Sequence, residues 1–246
     1  MAKLRADSLL VALGLVESRA KARAAIEAGG VTANGVIVTK ASELLDEASR
    51  LVTEPAHTWV GRGALKLVHG LEVFGVEVRG AVVLDVGAST GGFTQVCLSR
   101  GAKHVYAVDV GRGQLHAKLV GDPRITNLEG TDARNLTSDL IRQPPDLIVC
   151  DVSFIGLAKA LPSALALARE TATLIALIKP QFEIGPERVG KGGLVKDVAD
   201  QERSVAEVVE FLKTTGWEVK QTCPSPITGG SGQVEFLVCA RKTAAV

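Results

Sequence analysis

From residue 81 onward, short apolar runs alternate with helical stretches, and this alternation constrains the fold more than any other feature of the sequence. Strands separated by helices predict βαβ units, because two parallel strands need a crossover connection between them. The predicted parallel strands lie in "AVVLDVGASTGGF", "HVYAVDVG", "RITNLEG", "PDLIVCDVS" and "ATLIALIKP". The predicted helices include "GLAKALPSALALARE" and "DQERSVAEVVEFLKTTG", and the strands "WEVKQTC" and "QVEFLVCARK" close the chain. We therefore expect an α/β fold whose ligands bind beyond the carboxyl ends of parallel strands.

The first of these strands runs into a glycine-rich turn, "DVGASTGG", which is followed by a helix. Glycines let backbone approach a ligand closely, and the start of a helix offers free N–H groups. The spacing of Gly87, Gly91 and Gly92 is not that of the GxGxxG dinucleotide fingerprint, so NAD is disfavoured. Asp85 before the turn and Asp109 at the end of the next strand can instead hold the amino group and ribose hydroxyls of a nucleoside.

This pairing of a glycine turn with two carboxylates resembles S-adenosylmethionine-dependent methyltransferases. The alternative is a purely structural turn in a generic α/β protein. The resemblance also implies that Asp132, in "GTDARNL", lies near the adenine. The candidate residues for S-adenosylmethionine are Asp85, Gly87, Ala88, Ser89, Thr90, Gly91, Gly92, Phe93, Asp109 and Asp132.

Four charged residues are expected at the same edge of the sheet. The fourth predicted strand ends at Asp151 and the fifth at Lys179, and Glu235 lies at the start of the last strand, which is antiparallel in the methyltransferase fold. Lys66, in "GRGALKL", joins them if a short helix docks there. Paired charges compensate one another where a lone buried charge would be costly. The cluster is either an ion-pair network that closes the sheet edge or an acid–base site.

Residues 3 to 54 have a different pattern, made of short local elements. "DSLLVALGLV" and "SRAKARAAIEAGG" predict two helices, the second with Ser18 as its N-cap and Gly29–Gly30 as its stop. The dipeptide Asn34–Gly35 in "VTANGVIV" predicts a tight hairpin, since both residues tolerate positive φ. Two helices and a hairpin in this order resemble the small S-four-type RNA-binding module.

The second predicted helix carries a small basic surface. Arg19 and Arg23, four residues apart, share one helical face, and Lys21 lies between them in sequence. Such a charge run is either an RNA-binding face or a solvated surface. Farther along, the glycine-rich segment 183–197 carries Arg188, Lys191 and Lys196, and it either clamps an RNA backbone or forms a surface loop.

Composition excludes several classes of function. The 28 basic and 27 acidic residues leave the chain nearly neutral, so global charge predicts no partner. Its four cysteines and four histidines lack metal-ligand spacing, and we expect no metal. We see neither a secretory signal nor an apolar stretch near the ~20 residues of a membrane-spanning helix. A cytoplasmic protein is expected.

Seven motifs then resemble one family in order and spacing: "GRGALKL", "LDVGASTGGFT", "YAVDVGRGQL", "DVSFI", "LIKPQFE", "VGKGGLVKD" and "GQVEFL". They resemble the TlyA family, an RNA-binding module fused to an FtsJ/RrmJ-like ribosomal RNA 2'-O-methyltransferase. The resemblance implies a Rossmann-like methyltransferase sheet with an antiparallel last strand, preceded by a small α+β RNA-binding domain. It implies domains at residues 1–58 and 59–246, with a linker and docking helix over 59–80.

The resemblance also implies residue roles. The family's Lys-Asp-Lys-Glu tetrad falls on Lys66, Asp151, Lys179 and Glu235. Our hypothesis is that Lys179 accepts the 2'-hydroxyl proton, that Lys66 opposes its protonation, and that the carboxylates orient both amines. The implied partner is ribosomal RNA or a ribosomal subunit, through Arg5, Ser18, Arg19, Lys21, Arg23, Asn34, Arg62, Arg188 and Lys191. The chain departs from the family pattern at Gly61, Ala64 and Gln233.

The residues after the fourth predicted strand bear on the methyl acceptor. Methylation of exocyclic amines usually accompanies an Asn/Asp-Pro-Pro-aromatic turn there, and cytosine C5 chemistry needs a Pro-Cys nucleophile. This chain has "CDVSFI", with Cys150 expected in the core by strand alternation, so oxygen methylation is favoured. Two alternatives stay open: a membrane-active haemolysin, as some family members are labelled, or a non-catalytic RNA-binding assembly factor.

Overall fold

A computed structural model describes residues 3–27, 29–53, 58–190, 192–229 and 232–242 of this chain. It divides into two compact units, Met1–Arg62 and Gly63–Val246. The predicted division between residues 58 and 59 stays a prediction.

The N-terminal unit combines two small antiparallel sheets with two helices. One sheet pairs β1 with β4, and the other has the order β3-β2-β5. Its core contains Leu9 and Leu10 of the first helix and Ile26 of the second, each at most 2% exposed. The elements are β1 (Lys3–Arg5), α1 (Ala6–Ala12), α2 (Arg19–Glu27), β2 (Val31–Ala33), β3 (Val36–Ile37), β4 (Leu44–Asp46) and β5 (Leu51–Thr53).

The cap of α2, the end of that helix and the hairpin turn are found where the sequence predicts them. The Ser18 hydroxyl accepts the N–H of Lys21 at 3.2 Å, which confirms the N-cap of α2. Beyond the helix, Gly29 has φ +74° and the Gly30 N–H reaches back to the Ala25 carbonyl at 2.9 Å. Asn34 and Gly35, at φ +52° and +82°, form the predicted turn between β2 and β3. The hairpin is confirmed.

The C-terminal unit is built around a seven-stranded sheet in the order β11-β12-β10-β9-β6-β7-β8. Neighbours from β10 to β8 pair in parallel, whereas β12 is antiparallel to both β10 and β11. The predicted sheet with an antiparallel last strand is confirmed. The strands are β6 (Val82–Val86), β7 (His104–Asp109), β8 (Ile125–Glu129), β9 (Leu147–Cys150), β10 (Thr173–Ile178), β11 (Trp217–Pro224) and β12 (Phe236–Lys242).

One predicted helix of this unit is divided in the structure. The stretch predicted as one helix around residue 162 is two short helices, because Pro162 has no N–H and begins a new helix instead of continuing the first. The helices are α3 (Ala64–Phe74), α4 (Gly92–Ser99), α5 (Leu157–Ala160), α6 (Pro162–Leu167), α7 (Pro180–Glu183) and α8 (Val198–Thr214).

Strand register brings the ends of three buried strands together. Val86 pairs with Cys150, which pairs with Ala176, and Ile178 lies opposite Phe236 at the start of β12. The residues that follow β6, β9 and β10, and those that precede β12, therefore share one edge. Cys150 itself is fully buried in the core, as alternation predicts.

Candidate active site

A cavity of about 700 Å³ lies at the carboxyl ends of β6, β7 and β9. We call it the donor cavity. Four of the predicted cofactor residues line it, namely Gly87, Ser89, Asp109 and Asp132. The others, Ala88, Thr90, Gly91, Gly92 and Phe93, build the turn and the first turn of α4 behind that wall. The fully buried Asp85 is also absent from the lining.

The glycine turn is held in shape by close backbone approach and by one carboxylate. Gly87 has φ +84°, and a Cβ there would lie 2.6 Å from the Asp151 carbonyl oxygen. Asp109 Oδ2 accepts the N–H of Ser89 at 2.8 Å, and its Oδ1 accepts the N–H of Gly111 at 2.7 Å. Asp109 thus fixes two loops of the cavity wall.

Beneath the turn lies a carboxyl group that lacks a full set of partners. Asp85 Oδ2 accepts the Thr94 hydroxyl at 2.6 Å, whereas Oδ1 is buried with no hydrogen-bond partner among the described residues. Burial raises the pKa of Asp85 to about 7, and the charges of Asp151 and Asp109 act in the same direction. A ligand that brings positive charge would relieve this repulsion, so the site fits a nucleoside with cationic groups, as S-adenosylmethionine has.

Of two acidic residues on the far side of the donor cavity, Asp132 lines it, and Glu129 bonds to Gln114, which lines it. Asp132 accepts both the backbone and side-chain N–H groups of Arg134, which hold its pKa at about 2. Glu129 accepts the N–H groups of Gln114 and Leu115 at 2.6 and 2.9 Å. Sequence analysis missed both Glu129 and Gln114, although an acidic residue at the end of a parallel strand was a usable signal.

The four predicted tetrad residues form two ion pairs at the same sheet edge. Lys66 Nζ lies 2.5 Å from Glu235 Oε2, and Lys179 Nζ lies 2.5 Å from Asp151 Oδ1. Lys179 and Asp151 are close enough for an ion pair, but Asp151 Oδ1 accepts no hydrogen bond from the described residues. Lys179 Nζ donates instead to the Ser153 hydroxyl at 2.9 Å. No side chain in the two pairs is more than 19% exposed.

A second cavity, of about 410 Å³, opens over these charges, and we call it the acceptor cavity. Lys66, Lys179 and Glu235 line it. Ser153 and Phe154 line both cavities, so the loop after β9 forms their common wall. Phe154 has φ +67°, is 91% exposed, and its ring centroid lies 5.3 Å from that of Phe182. Sequence analysis used the motif "DVSFI" as part of the family resemblance but named no site residue in this loop beyond Asp151.

The departure at Gln233 has a local explanation. Gln233 is buried, and its side-chain oxygen accepts the N–H of Val195 at 2.6 Å while its amide donates to the Val195 carbonyl at 3.3 Å. It thereby ties segment 183–197 to the strand that follows Glu235. That segment contains a 3₁₀ turn at Pro186–Arg188 and a bridge between Gly190 and Leu194, so it is more structured than a plain loop.

The predicted RNA-binding residues are placed as follows. Arg5 and Arg19 both bond to the buried carboxylate of Asp7, which lies between them. Lys21 pairs with Glu17, and Arg188 pairs with Asp200 at 2.8 Å. Ser18 caps α2, Asn34 accepts the N–H of Arg50, and Arg23 is exposed. Arg62 is half-buried, and Lys191 lies outside the described residues.

Two features are absent from residues 3–27, 29–53, 58–190, 192–229 and 232–242. No helix there is long and apolar enough to cross a membrane. In the same part of the chain, no group of three or more histidine, cysteine or acidic side chains is arranged to hold a metal ion.

Comparison with known proteins supplies the context for this geometry. A family model for FtsJ-like methyltransferases matches residues 59–242, and a model for the S4 domain matches residues 4–51. The chain is 44% identical over 241 residues to the 16S/23S rRNA (cytidine-2'-O)-methyltransferase TlyA of Mycobacterium tuberculosis, covering 97% of this chain and 90% of that protein. It is 35% identical to Hemolysin A of Brachyspira hyodysenteriae, over 95% of this chain and 98% of that one.

A solved structure is similar over nearly the whole length. It is described as a putative hemolysin from Streptococcus thermophilus, with a TM-score of 0.77 and 39% identity, covering 99% of this chain and 90% of that one.

Proposed function

The chain belongs to the FtsJ-like methyltransferase family, and from that premise we propose that it transfers a methyl group from S-adenosylmethionine to a ribose 2'-hydroxyl of ribosomal RNA. The observation that carries the proposal is the pair of buried ion pairs, Lys66–Glu235 and Lys179–Asp151, beside a cavity suited to the donor. The Mycobacterium tuberculosis protein that is 44% identical to this chain is named as a methyltransferase of cytidine in 16S and 23S rRNA. That name supports ribosomal RNA as the substrate.

The donor is held, in this proposal, by the walls of the donor cavity. Asp109 is the candidate partner of the ribose hydroxyls, and the Asp132 segment is the candidate partner of the adenine. Gly87 leaves room for close backbone approach. When bound, S-adenosylmethionine supplies an electrophilic methyl group on a sulfonium. Methyl transfer then needs an oxygen nucleophile in line with that group.

The four-residue charge cluster supplies the proton chemistry. A ribose hydroxyl is a weak nucleophile until its proton is withdrawn, so a base must stand close to it. We assign that role to Lys179, whose amine takes the proton from the 2'-oxygen as the oxygen–methyl bond forms. Asp151 and Ser153 hold Lys179 Nζ in place, and Glu235 holds Lys66. Lys66 places a second amine on the wall of the acceptor cavity, which Lys179 also lines.

We further propose that residues 1–58 bind RNA and that residues 59–246 carry out methyl transfer, in the cytoplasm. The basis for the first part is the match to the S4 domain and the cluster of Arg5, Asp7 and Arg19. Both arginines bond to one buried carboxylate, and together they lower its pKa. Two guanidinium groups fixed in this way present their remaining N–H donors to a phosphate with little loss of side-chain entropy.

Substitution of Arg19 tests the RNA-binding part of the proposal. Arg19→Ala should weaken binding to ribosomal RNA by roughly tenfold and reduce the slope of log K against log salt by about 1, because one phosphate contact is lost. Fluorescence anisotropy at several salt concentrations measures both quantities. Lys213→Ala, at an exposed site on α8, is the control. An unchanged salt slope for Arg19→Ala would remove Arg19 from the interface.

The proposed function as a whole is tested by transfer of radiolabelled methyl groups from S-adenosylmethionine to ribosomal subunits. The subunits should come from cells that lack this gene, so that the target position is unmodified. Incorporation into RNA is expected to level off near a small whole number of methyl groups per subunit. No incorporation into either subunit, with protein shown to bind S-adenosylmethionine, would contradict the proposal.

The hemolysin names of two similar proteins favour a second candidate, a membrane-active protein. Release of a trapped dye from lipid vesicles by the purified protein would support that candidate. The transfer assay on subunits is independent of it, so the two functions are separately measurable.

A further inference from the structure

The carboxylate of Glu183 occupies a position that the transfer chemistry above does not use. Glu183 ends α7, and both of its carboxylate oxygens lie 3.1 Å from the N–H of Leu157, the first residue of α5. In the described part of the chain, no lysine, arginine or histidine forms an ion pair with it. Burial raises the pKa of Glu183 to about 7; the Leu157 N–H opposes that rise, and the charge of Glu207 on α8 adds to it.

Glu183 joins two segments that build the boundary between the cavities. One is the loop 152–156 after β9, which carries Ser153 and Phe154 on the wall of both cavities. The other is the turn 179–183, which carries Lys179, the proposed base. We call the loop and the turn together the junction.

Three more contacts hold the junction together. Lys179 Nζ donates to the Ser153 hydroxyl at 2.9 Å, and the rings of Phe154 and Phe182 are in tilted contact. At Gly156 the segments are so close that an added Cβ would lie 2.9 Å from the Phe182 carbonyl oxygen and 3.0 Å from Glu183 Oε2. The Glu183–Leu157 contact fixes the end of the loop at which α5 begins.

Stability alone does not explain an ionisable group at this position. A glutamine could accept the same N–H without the cost of burying a carboxylate. Because the pKa in the folded state is raised above its ordinary value near 4.5, the folded state is favoured at low pH. That advantage is lost as the pH rises through about 7. At pH 8 the carboxylate therefore opposes folding.

We propose that Glu183 is a positioning residue that clamps the loop 152–156 against the turn 179–183 and so sets the alignment of the donor cavity with the acceptor cavity. The inference rests on the proposed methyl transfer, because it assigns the junction to the boundary between methyl donor and ribose. Glu183 touches neither reactant and acts through Ser153, Phe154 and Lys179.

Three substitutions test the clamp. Glu183→Ala should lower kcat for methyl transfer to ribosomal subunits by about 10- to 100-fold, since small misplacements of reacting groups have effects of that size. The Kd for S-adenosylmethionine should stay within about threefold. Glu183→Gln, which keeps an acceptor for the Leu157 N–H, should restore kcat to within about fivefold of the wild type. Gly156→Ala should reproduce the kcat loss with Glu183 intact.

Two measurements without substrate separate this role from a general effect on folding. Deuterium uptake by peptides spanning residues 153–160 should rise in Glu183→Ala and not in Glu183→Gln. Glu183→Gln should unfold at higher denaturant than the wild type at pH 8, and this advantage should shrink toward pH 5. Glu170→Gln, at an exposed carboxylate before β10, should match the wild type in every assay.

The result that would overturn the clamp is wild-type kcat and wild-type deuterium uptake in Glu183→Ala. Equal loss of kcat in Glu183→Ala and Glu183→Gln would overturn it as well, because the hydrogen bond would then be irrelevant. Absence of transfer by the wild-type protein would count against the proposed function instead, and the exchange and unfolding measurements would still test the clamp.

Discussion

Lys179→Ala is expected to reduce methyl transfer to ribosomal RNA by about 10³-fold, within the range found for removal of a general base. The amine is expected to act on the 2'-hydroxyl proton, and no other lysine in the described part of the cluster is bonded to both Asp151 and Ser153. The Kd for S-adenosylmethionine should stay within about threefold, because Lys179 lines the acceptor cavity and not the donor cavity. Single-turnover transfer and calorimetric titration measure the two quantities.

Two further variants make this result specific. Lys179→Arg keeps a positive charge beside Asp151 but cannot give up its proton near neutral pH, so it should be as inactive as Lys179→Ala. Lys213→Ala removes an exposed lysine from α8 and should transfer at the wild-type rate. Removal of Lys179 leaves the Asp151 carboxylate without its cation, so thermal unfolding must be measured to show that each variant is folded at the assay temperature. Transfer by Lys179→Arg at the wild-type rate would exclude proton abstraction by this residue.

Gly87→Ala is expected to weaken S-adenosylmethionine binding by more than 100-fold. The residue combines φ +84° with a Cβ position 2.6 Å from the Asp151 carbonyl oxygen and 2.9 Å from its carbonyl carbon. A methyl group there must push β6 and β9 apart at their ends or reshape the turn, and either change moves Ser89 away from Asp109. Calorimetric titration of the folded variant with S-adenosylmethionine measures the loss.

Gly121→Ala is the matched control for this result. Gly121 has φ +85°, nearly the same backbone strain, but no atom lies within 4 Å of its Cβ position. It should show a small loss of stability and normal donor affinity. If both variants lost donor affinity equally, backbone strain in general would explain the effect, and the close approach of the turn to Asp151 would not.

Structure was easiest to predict from sequence where a residue type favours one particular backbone conformation. Asn34–Gly35 needs positive φ at both positions, and the turn is present. The charged residues at strand ends were predictable because parallel strands bring their carboxyl ends to one edge, so Asp109, Asp151 and Lys179 share it. The prediction of a single helix around Pro162 was wrong. The apolar residues keep a helical spacing across this position, but Pro162 has no backbone N–H to continue the first helix.

The parts of the site that depend on loop geometry were not predictable. Ser153 bonds to Lys179 and Glu183 to Leu157 only because two loops far apart in sequence pack together, and no local pattern encodes that contact. Asp7 was overlooked between Arg5 and Arg19, since short-range charge patterns suggest a solvated face and not a buried carboxylate. The family resemblance predicted which charged side chains belong to the site. The hydrogen bonds around them are seen only in the structure.

The most direct measurement is the identity of the methylated nucleoside. Ribosomal subunits from cells without this gene are incubated with purified protein and S-adenosylmethionine, and the RNA is digested to nucleosides and separated by mass spectrometry. A nucleoside methylated on its ribose 2'-oxygen is predicted, formed by the wild-type protein and not by Lys179→Ala. A nucleoside methylated on its base, or equal product from both proteins, would contradict the account.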